Sequence, residues 1–295
     1  MTKIAFLACA ETLSHSTSRR ADAFEHDAQL EALTGPFAER GLHLAEVDWQ
    51  ASLSDFEGCA AALIATPWDY QERQASFIAK LEALEEKGVV CFNPPSLVRW
   101  NIDKIYLKDL AGTGIPTIPT IWSARPGPHT LTRAFETFET ERLVVKRRIG
   151  AGAEGQEILS RSQPDLDRWR YVVPVMIQPF MEEITRSGEL SMIFVDGRFS
   201  HAVLKRPAEG DYRIQSVYGG TEHSASPSEK AMNVARAVIE AMPGETPLYA
   251  RIDLLASDHD PMLMEAEVIE PYLYPHHGPQ LGALMAQAMA ARLQA

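Results

Sequence analysis

The residues of this sequence best suited to chemistry are acids that alternate along one late segment. Glu265 and Glu267 lie two apart in the run MEAEVIEP, and Asp253 lies in the run ARIDLL just before it. A spacing of two puts both glutamates on one face of a strand. Acids flanked by Met264, Ala266, Val268 and Ile269 are costly to bury unless something positive meets them. A hard divalent cation does so, and Mg²⁺ shared between carboxylates and nucleotide phosphates is the common form. The competing reading is an exposed acidic face on an edge strand. Glu270 falls on the opposite face from Glu267 if the strand stays regular, which leaves it a ligand only through a bulge, or else a substrate or structural contact.

Cations and glycines supply the opposite charge. Lys146 ends the apolar run LVVK and is followed by Gly150, Gly152 and Gly155. Glycines let backbone amides approach phosphate oxygens, and a lysine adds charge. The spacing fits neither a P-loop nor a Rossmann fingerprint, because a strand follows the glycines. Lys205, Arg206 and Arg213 form a second cationic group that suits a triphosphate or a developing acyl-phosphate. Each group also reads as an ordinary basic surface loop. Between them, Gln178 and Met181 end an apolar strand that can offer its backbone to an adenine edge, and Glu189 can reach a ribose hydroxyl. A plain core strand is the alternative.

His201, between Ser200 and Ala202, reads as a satisfied structural histidine rather than a base. His276 and His277 follow Pro275 as a turn or as substrate contacts, and Trp68-Asp69-Tyr70 reads equally as a substrate loop or as packing. The segment from Thr12 to Ser18 reads as a loop over the site or as a disordered one. No covalent nucleophile stands out; Cys9, Cys59 and Cys91 have neither metal nor disulfide spacing.

The elements that must position these groups follow from periodicity. Up to about residue 97, short apolar runs alternate with amphipathic stretches in the order β-α-β-β-α-β, which implies a small parallel sheet with ligand loops at its strand ends. The segments ACAETLSHS and TPWDY occupy such ends. From Asn101 the order becomes helix (NIDKIYLKDLAGTG), extended Pro-rich run, strand, glycine turn, strand, short helix (DLDRWRYV) and strand. A hairpin turning at Asp196-Gly197, a helix, a second long hairpin and a closing helix complete the chain. With 295 residues, the chain divides at 1–97, 98–180 and 181–295. A net charge of −12 argues against nucleic acid or an anionic membrane as partner. No apolar run of membrane-spanning length occurs, the first residues do not read as a secretion signal, and the scattered cysteines fit a cytoplasmic protein.

Taken in order, these pieces resemble the ATP-grasp superfamily from about Asn101 to Pro271. Within it the sequence is similar to the glutathione-synthetase-like branch and, more narrowly, to the O-ureido-serine cyclo-ligases of cycloserine biosynthesis. The phrases that carry the narrower resemblance are TPWDYQERQASF, FNPPSLVRWNIDKIYLKDL, GELSMIFVDGRFSHAVLKRPAEGDYRIQ and EAEVIEPYLYP. The resemblance implies an α/β ATP-grasp fold: an N-terminal parallel-sheet (pre-ATP-grasp) domain and two α+β subdomains enclosing ATP. It implies an ATP- and Mg²⁺-dependent ligase that joins a small-molecule carboxylate to an amine through an acyl-phosphate, releasing ADP and phosphate. Intramolecular ring closure and a kinase-like phosphoryl transfer are the rival activities. By the same resemblance, Lys104, Lys146 and the glycines contact nucleotide phosphates, Gln178 and Met181 lie at adenine, and Glu189 lies at the ribose. Lys205 and Arg213 stabilise transferred charge, and Asp253, Glu265 and Glu267 hold Mg²⁺. Glu267 stands where the family pattern has Asn, and Lys-Arg-Arg replaces the common Lys-Pro after the central strand. The dimers and tetramers common in such enzymes leave homodimer or homotetramer open.

Overall fold

The structure is a computed structural model that describes residues 1–150, 152, 154–208, 219–257 and 260–294. It contains three sheets. The first is built from β1 (Thr2–Ala8), α1 (Phe24–Glu39), β2 (Leu42–Asp48), β3 (Cys59–Thr66), α2 (Gln74–Glu86) and β4 (Val90–Phe92). Its order is β2-β1-β3-β4, all parallel. β1 and β3 are almost wholly buried, which is why they read as continuous apolar runs rather than alternating ones.

Two short helices follow, α3 (Pro95–Asn101) and α4 (Tyr106–Gly112). The sequence reads as one helix from Asn101 to Gly114; instead the chain breaks between Asn101 and Tyr106. Asp103 is one reason: its carboxylate accepts from the backbone N–H of Ile105 at 3.0 Å, a local bond that competes with helix continuation. Lys104 therefore sits in a turn.

The second sheet comprises β5 (Ile121–Ser123), β6 (Arg142–Arg147), β7 (Glu157–Ser160) and β8 (Val175–Pro179), with α5 (Pro128–Thr137) packed on it. Its order is β5-β8-β6-β7, antiparallel throughout. DLDRWRYV yields only a single 3₁₀ turn at Leu166–Arg168, because Trp169 and Tyr171 leave the helical path to pack on the small core of this sheet.

The third sheet follows α6 (Glu183–Arg186) and contains β9 (Glu189–Val195), β10 (Arg198–Arg206), β11 (Thr221–Ala225), β12 (Tyr249–Leu255) and β13 (Met262–Glu267). Its order is β11-β10-β9-β12-β13, again antiparallel. The turn at Asp196-Gly197 has positive φ at both residues (51° and 72°), as a tight hairpin requires. α7 (Glu229–Glu240) covers one face of this sheet, its N-terminus capped by the Ser228 hydroxyl. α8 (Leu281–Arg292) packs on α1. At that crossing a Cβ on Gly282 would lie 2.3 Å from the Ala32 carbonyl oxygen, so only glycine lets the two helices come this close. Among the described residues no helix is long and apolar enough to cross a membrane.

Candidate active site

All three sheets open onto one cavity of about 1050 Å³. One end is apolar. Val144 from β6, Phe180 and Ile184 flanking the start of α6, and Leu255 from β12 form a cluster with Met181 and Met264, and these side chains line the cavity beside Ile118. Gln178 is buried there and donates to the Thr120 hydroxyl at 3.0 Å. Gln178 and Met181 therefore both reach the cavity, at the end suited to a flat apolar ring.

The middle is charged. Asp253 and Glu265 are direct partners across β12 and β13, and Glu267 is the partner of Arg251. The backbone of Ala266, between the two glutamates, is held at both polar groups. Its N–H donates to the Tyr106 hydroxyl at 2.9 Å, and its carbonyl accepts from the Asn101 amide at 2.7 Å. With Ala266 pinned away from the cavity, Glu265 and Glu267 must face it.

Each of these acids meets a cation. Lys104 lies 2.7 Å from Glu265 and donates to the Gly150 carbonyl at 2.5 Å. Arg251 grips Asp253 at 3.0–3.1 Å through two nitrogens and also pairs with Glu267. Ser191 donates to Asp253 at 2.5 Å. Lys205 pairs with Glu189, with Asp253 4.0 Å away. Lys146 lines the cavity with no ion-pair partner among the described residues.

The charges do not balance evenly. Burial raises Asp253's carboxyl pKa, but Arg251, Lys205 and Ser191 outweigh it and hold the group below the usual range. Glu267 goes the other way. Burial pushes it well up, and the nearby Glu265, Asp253 and Glu270 add to this, more than Arg251 relieves. Burial also raises Glu189 despite Lys205. Lys146 is lowered by burial, whereas the acids around Lys104 overcome burial and raise it. Burial thus leaves Glu267 raised and Lys146 lowered around the same cavity.

Lys104, Lys146, Gly150, Gly152, Gln178, Met181, Glu189, Lys205, Asp253, Glu265 and Glu267 all line this one cavity. Gly155 does not line it; a Cβ there would run into Arg147 and Tyr171, so it serves the packing of the loop base. Arg213 lies outside the described residues. Among the described residues no three acids are gathered into a ready metal cage.

Arg251 escaped the sequence reading, although its position two before Asp253 on the same strand face was the available signal. Glu270 turns into the cavity because β13 ends at Glu267 and the face alternation no longer binds it. His201 is structural: Nε2 lies 2.9 Å from the Leu273 carbonyl. His277 closes a 3₁₀ turn (Pro275–His277) against the edge strand β11, its ring 2.8 Å from Ser224 Oγ and 3.3 Å from Glu222. The loop after β1 lines the cavity with Cys9, Ala10 and Glu11, while Thr12 turns into the core and bonds the Cys9 and Thr66 carbonyls.

The chain belongs to the ATP-grasp ligases, in the glutathione-synthetase-like branch, and is an ATP-dependent carboxylate–amine ligase that forms C–N bonds. Residues 4–93 match the family of the N-terminal domain of the D-cycloserine synthetase DcsG, and residues 132–272 match the ATP-grasp domain of prokaryotic glutathione synthetase. The cycloserine biosynthesis protein DcsG of Streptomyces lavendulae is 31% identical over 265 residues, covering 84% of this chain and 88% of that protein. The crystal structure of D-cycloserine synthetase DcsG superposes with a TM-score of 0.83 at 26% identity, covering 99% of both chains. The ATP-grasp ligase PsnB, solved with a precursor variant, Mg and ADP, shares the fold at a TM-score of 0.68 and 16% identity, with 99% of each chain covered.

Proposed function

We propose that the cavity binds ATP with Mg²⁺, activates a small-molecule carboxylate as its acyl-phosphate and delivers it to a nitrogen nucleophile. The observation that carries this reading is the meeting of the Asp253–Glu265–Glu267 face with Lys104 and Lys146 across one cavity. The apolar end takes the adenine beside Gln178 and Met181. Glu189 lies between that end and Lys205, where a ribose would sit. Lys104, Lys146 and the amides of the glycine loop take the phosphates.

The acids fit Mg²⁺ by their chemistry. They are hard oxygen donors, and burial together with the neighbouring acids Glu265, Asp253 and Glu270 pushes Glu267 up, a rise that a bound cation would relieve. Mg²⁺ commonly uses one or two carboxylates and completes its shell with phosphates and water, so a full protein cage is not required. Glu265 and Glu267 are the primary holders, with Asp253 beside them. When bound, Mg²⁺ supplies neutralisation of charge on the transferring phosphoryl group.

The chain's own residues do the rest. Lys104 exchanges Glu265 for phosphate oxygens. Arg251 and Lys205 face the acyl carbon's developing oxyanion and the phosphate that leaves. Arg213 is assigned the same duty by its place in the sequence alone. The loop from Gly150 shields the acyl-phosphate from water, which would otherwise hydrolyse it. The position of reacting groups, rather than a covalent enzyme intermediate, supplies the acceleration.

A second reading is favoured by one finding. The match over residues 4–93 is to the DcsG-type domain, and that part of the chain supplies the cavity wall formed by Glu11, Arg20 and Trp68. In this reading, carboxylate and nitrogen belong to one molecule of the O-ureidoserine type, and the product is a ring. Incubation with ATP, Mg²⁺ and a panel of the standard amino acids plus O-ureidoserine, with hydroxylamine as a trapping nucleophile, tests both. A ligase gives ADP, phosphate and a hydroxamate; a kinase gives ADP and a stable phosphorylated product; a nucleotide sensor gives neither. Ring formation from a single organic substrate selects the cyclo-ligase.

A further inference from the structure

Four of the acids around the cavity have a cation of their own: Glu189 has Lys205, Glu265 has Lys104, and Asp253 and Glu267 share Arg251. Glu270 differs. It lines the same cavity, half-buried, and has no ion-pair partner among the described residues. What it has beside it is the Tyr70 phenol, which opposes the rise of its carboxyl pKa.

The placement of Glu270 is held from two domains. The Trp68 indole N–H donates to the Glu270 backbone carbonyl at 3.2 Å, and the Tyr249 hydroxyl donates to the preceding carbonyl, of Ile269, at 2.8 Å. Tyr70 itself is 5% exposed and packs on Phe77. Asp69, between Trp68 and Tyr70, accepts from the Trp49 indole at 2.6 Å and the Gln50 amide at 2.7 Å, which fixes this loop on the first sheet. A carboxylate whose backbone is held this firmly, beside the acids that face the phosphate end and without an ion-pair partner among the described residues, is open to a donor brought by a ligand.

We propose that Glu270 receives the nitrogen nucleophile of the ligation, binding its N–H and taking its proton as the C–N bond forms. The inference rests on the carboxylate–amine ligase reading above. The nitrogen lone pair attacks the acyl carbon; the bond from that carbon to the phosphate oxygen breaks, and the phosphate leaves with the electron pair. The proton released from nitrogen passes to the Glu270 carboxylate and from there to the departing phosphate or water, which resets the site. Tyr70, whose phenol acts on the Glu270 carboxyl group, is the positioning residue. Independently of this geometry, burial raises Glu270 to about 7, with Tyr70 and Lys104 opposing and Glu265 adding to the rise. A carboxylate in that range accepts a proton at neutral pH far better than an ordinary one.

The test separates the two halves of the reaction. The unmodified protein, Glu270→Gln, Glu270→Asp and Tyr70→Phe are given ATP, Mg²⁺ and the same panel of acids, with and without hydroxylamine. Hydroxylamine is neutral at pH 7 and attacks an acyl-phosphate without a protein base. Glu270→Gln is expected to keep hydroxamate formation within about threefold while its amide or ring product falls by about 100-fold, the usual scale for loss of a general base. Raising the pH should restore part of that loss by deprotonating the nucleophile in solution. Tyr70→Phe should lose about tenfold in product and Glu270→Asp less than Glu270→Gln. Hydroxamate and product falling together, or product unchanged in Glu270→Gln, overturns the assignment and leaves the ligase reading standing. No hydroxamate from any acid with the unmodified protein overturns the ligase reading, and this one with it.

Discussion

Ala266 has both its backbone groups bound by buried side chains, Tyr106 and Asn101, and the acids on either side of it have their cations at hydrogen-bond distance. Across the cavity, the Gly150 carbonyl is held by Lys104, and its loop is tied down near its base by the Arg148–Asp103 pair, at 2.5 and 2.9 Å. The backbone of Lys104 donates to the Arg148 carbonyl at 2.9 Å, so the same contact anchors both the loop base and the lysine turn. Lys146 beside them has no ion-pair partner among the described residues. One wall is paired before any ligand arrives; among the described residues the other keeps a lysine without an ion pair. The difference suits a reaction in which a metal site must be accurate and a phosphate cover must close. Carboxylates held by cations give electrostatic preorganisation without reorganisation at the moment of transfer, and Lys146, without an ion-pair partner among the described residues, is open to ligand phosphate.

Changes on the paired wall should therefore damage rate, and changes on the other should damage nucleotide affinity. Glu265→Gln is expected to have the largest effect, lowering kcat by about 1000-fold or more, about 4 kcal/mol, with an unaltered circular dichroism spectrum. Wild-type turnover in that variant would remove Glu265 from the metal role. Asn101→Ala should cost about 1–3 kcal/mol in urea unfolding, since it strips the buried Ala266 carbonyl in β13 and the Val268 N–H just after it of their partner, and kcat should fall with it. If stability drops with kcat untouched, the paired wall is merely structural. Arg148→Ala should raise KM for ATP about tenfold, about 1.4 kcal/mol, while leaving KM for the acid within twofold; equal changes in both would erase the contrast between the walls.

The smallest expected effect is on stability, and its sign follows from burial. Glu25 and Glu270 are both raised from 4.5 to about 7, chiefly by burial. The folded state then holds more protons than the unfolded one between those values, so each carboxylate lowers stability as pH climbs through that window. Glu270→Gln should stabilise the ligand-free protein at pH 8 by about 1–2 kcal/mol and by almost nothing at pH 4. Thermal melts at the two pH values check it. A gain at pH 8 beside a loss of activity would mark Glu270 as a residue kept for chemistry at the expense of the fold.

The paired wall was also the more legible one in the sequence. The two-residue spacing of Glu265 and Glu267, the preceding Asp253 and the Asp196-Gly197 turn are local signals, and strand geometry converts them directly into a shared face. Lys146 and its glycines were equally local. Asn101 and Tyr106 were not, because their partners lie 165 and 160 residues away in the chain, and no periodicity encodes a contact of that span. The break before Tyr106 was hidden for a related reason: helix propensity favours continuation, and the side-chain bonds of Asp103 to Ile105 and Arg148 overrule it. Arg251 could have been found by extending to β12 the period applied to β13. Glu270 could not, since its orientation depends on where the strand ends.

The seam at Gly282 has a mechanical consequence. The apolar cluster beneath it mixes Ile4, Phe6, Leu33 and Phe37 with Ile193, Val195, Tyr249, Leu281 and Met285, so the parallel sheet and the five-stranded sheet share a single interior. The antiparallel four-stranded sheet keeps its own small interior, from Leu131 to Ile177, and meets the rest through Met176 and Trp122, which join the core of the five-stranded sheet, and through a patch in which Met181, Met262 and Met264 surround Val144, Phe180, Ile184 and Leu255. Thioether chains adapt to shifted neighbours more readily than branched ones. A swing of the 121–179 block would slide at the methionine patch and at Met176 and Trp122, while the two other sheets, with one shared interior, would move together as its frame. A tether placed across the methionine patch would jam the enzyme; one placed across the Gly282 seam would leave it free to turn over.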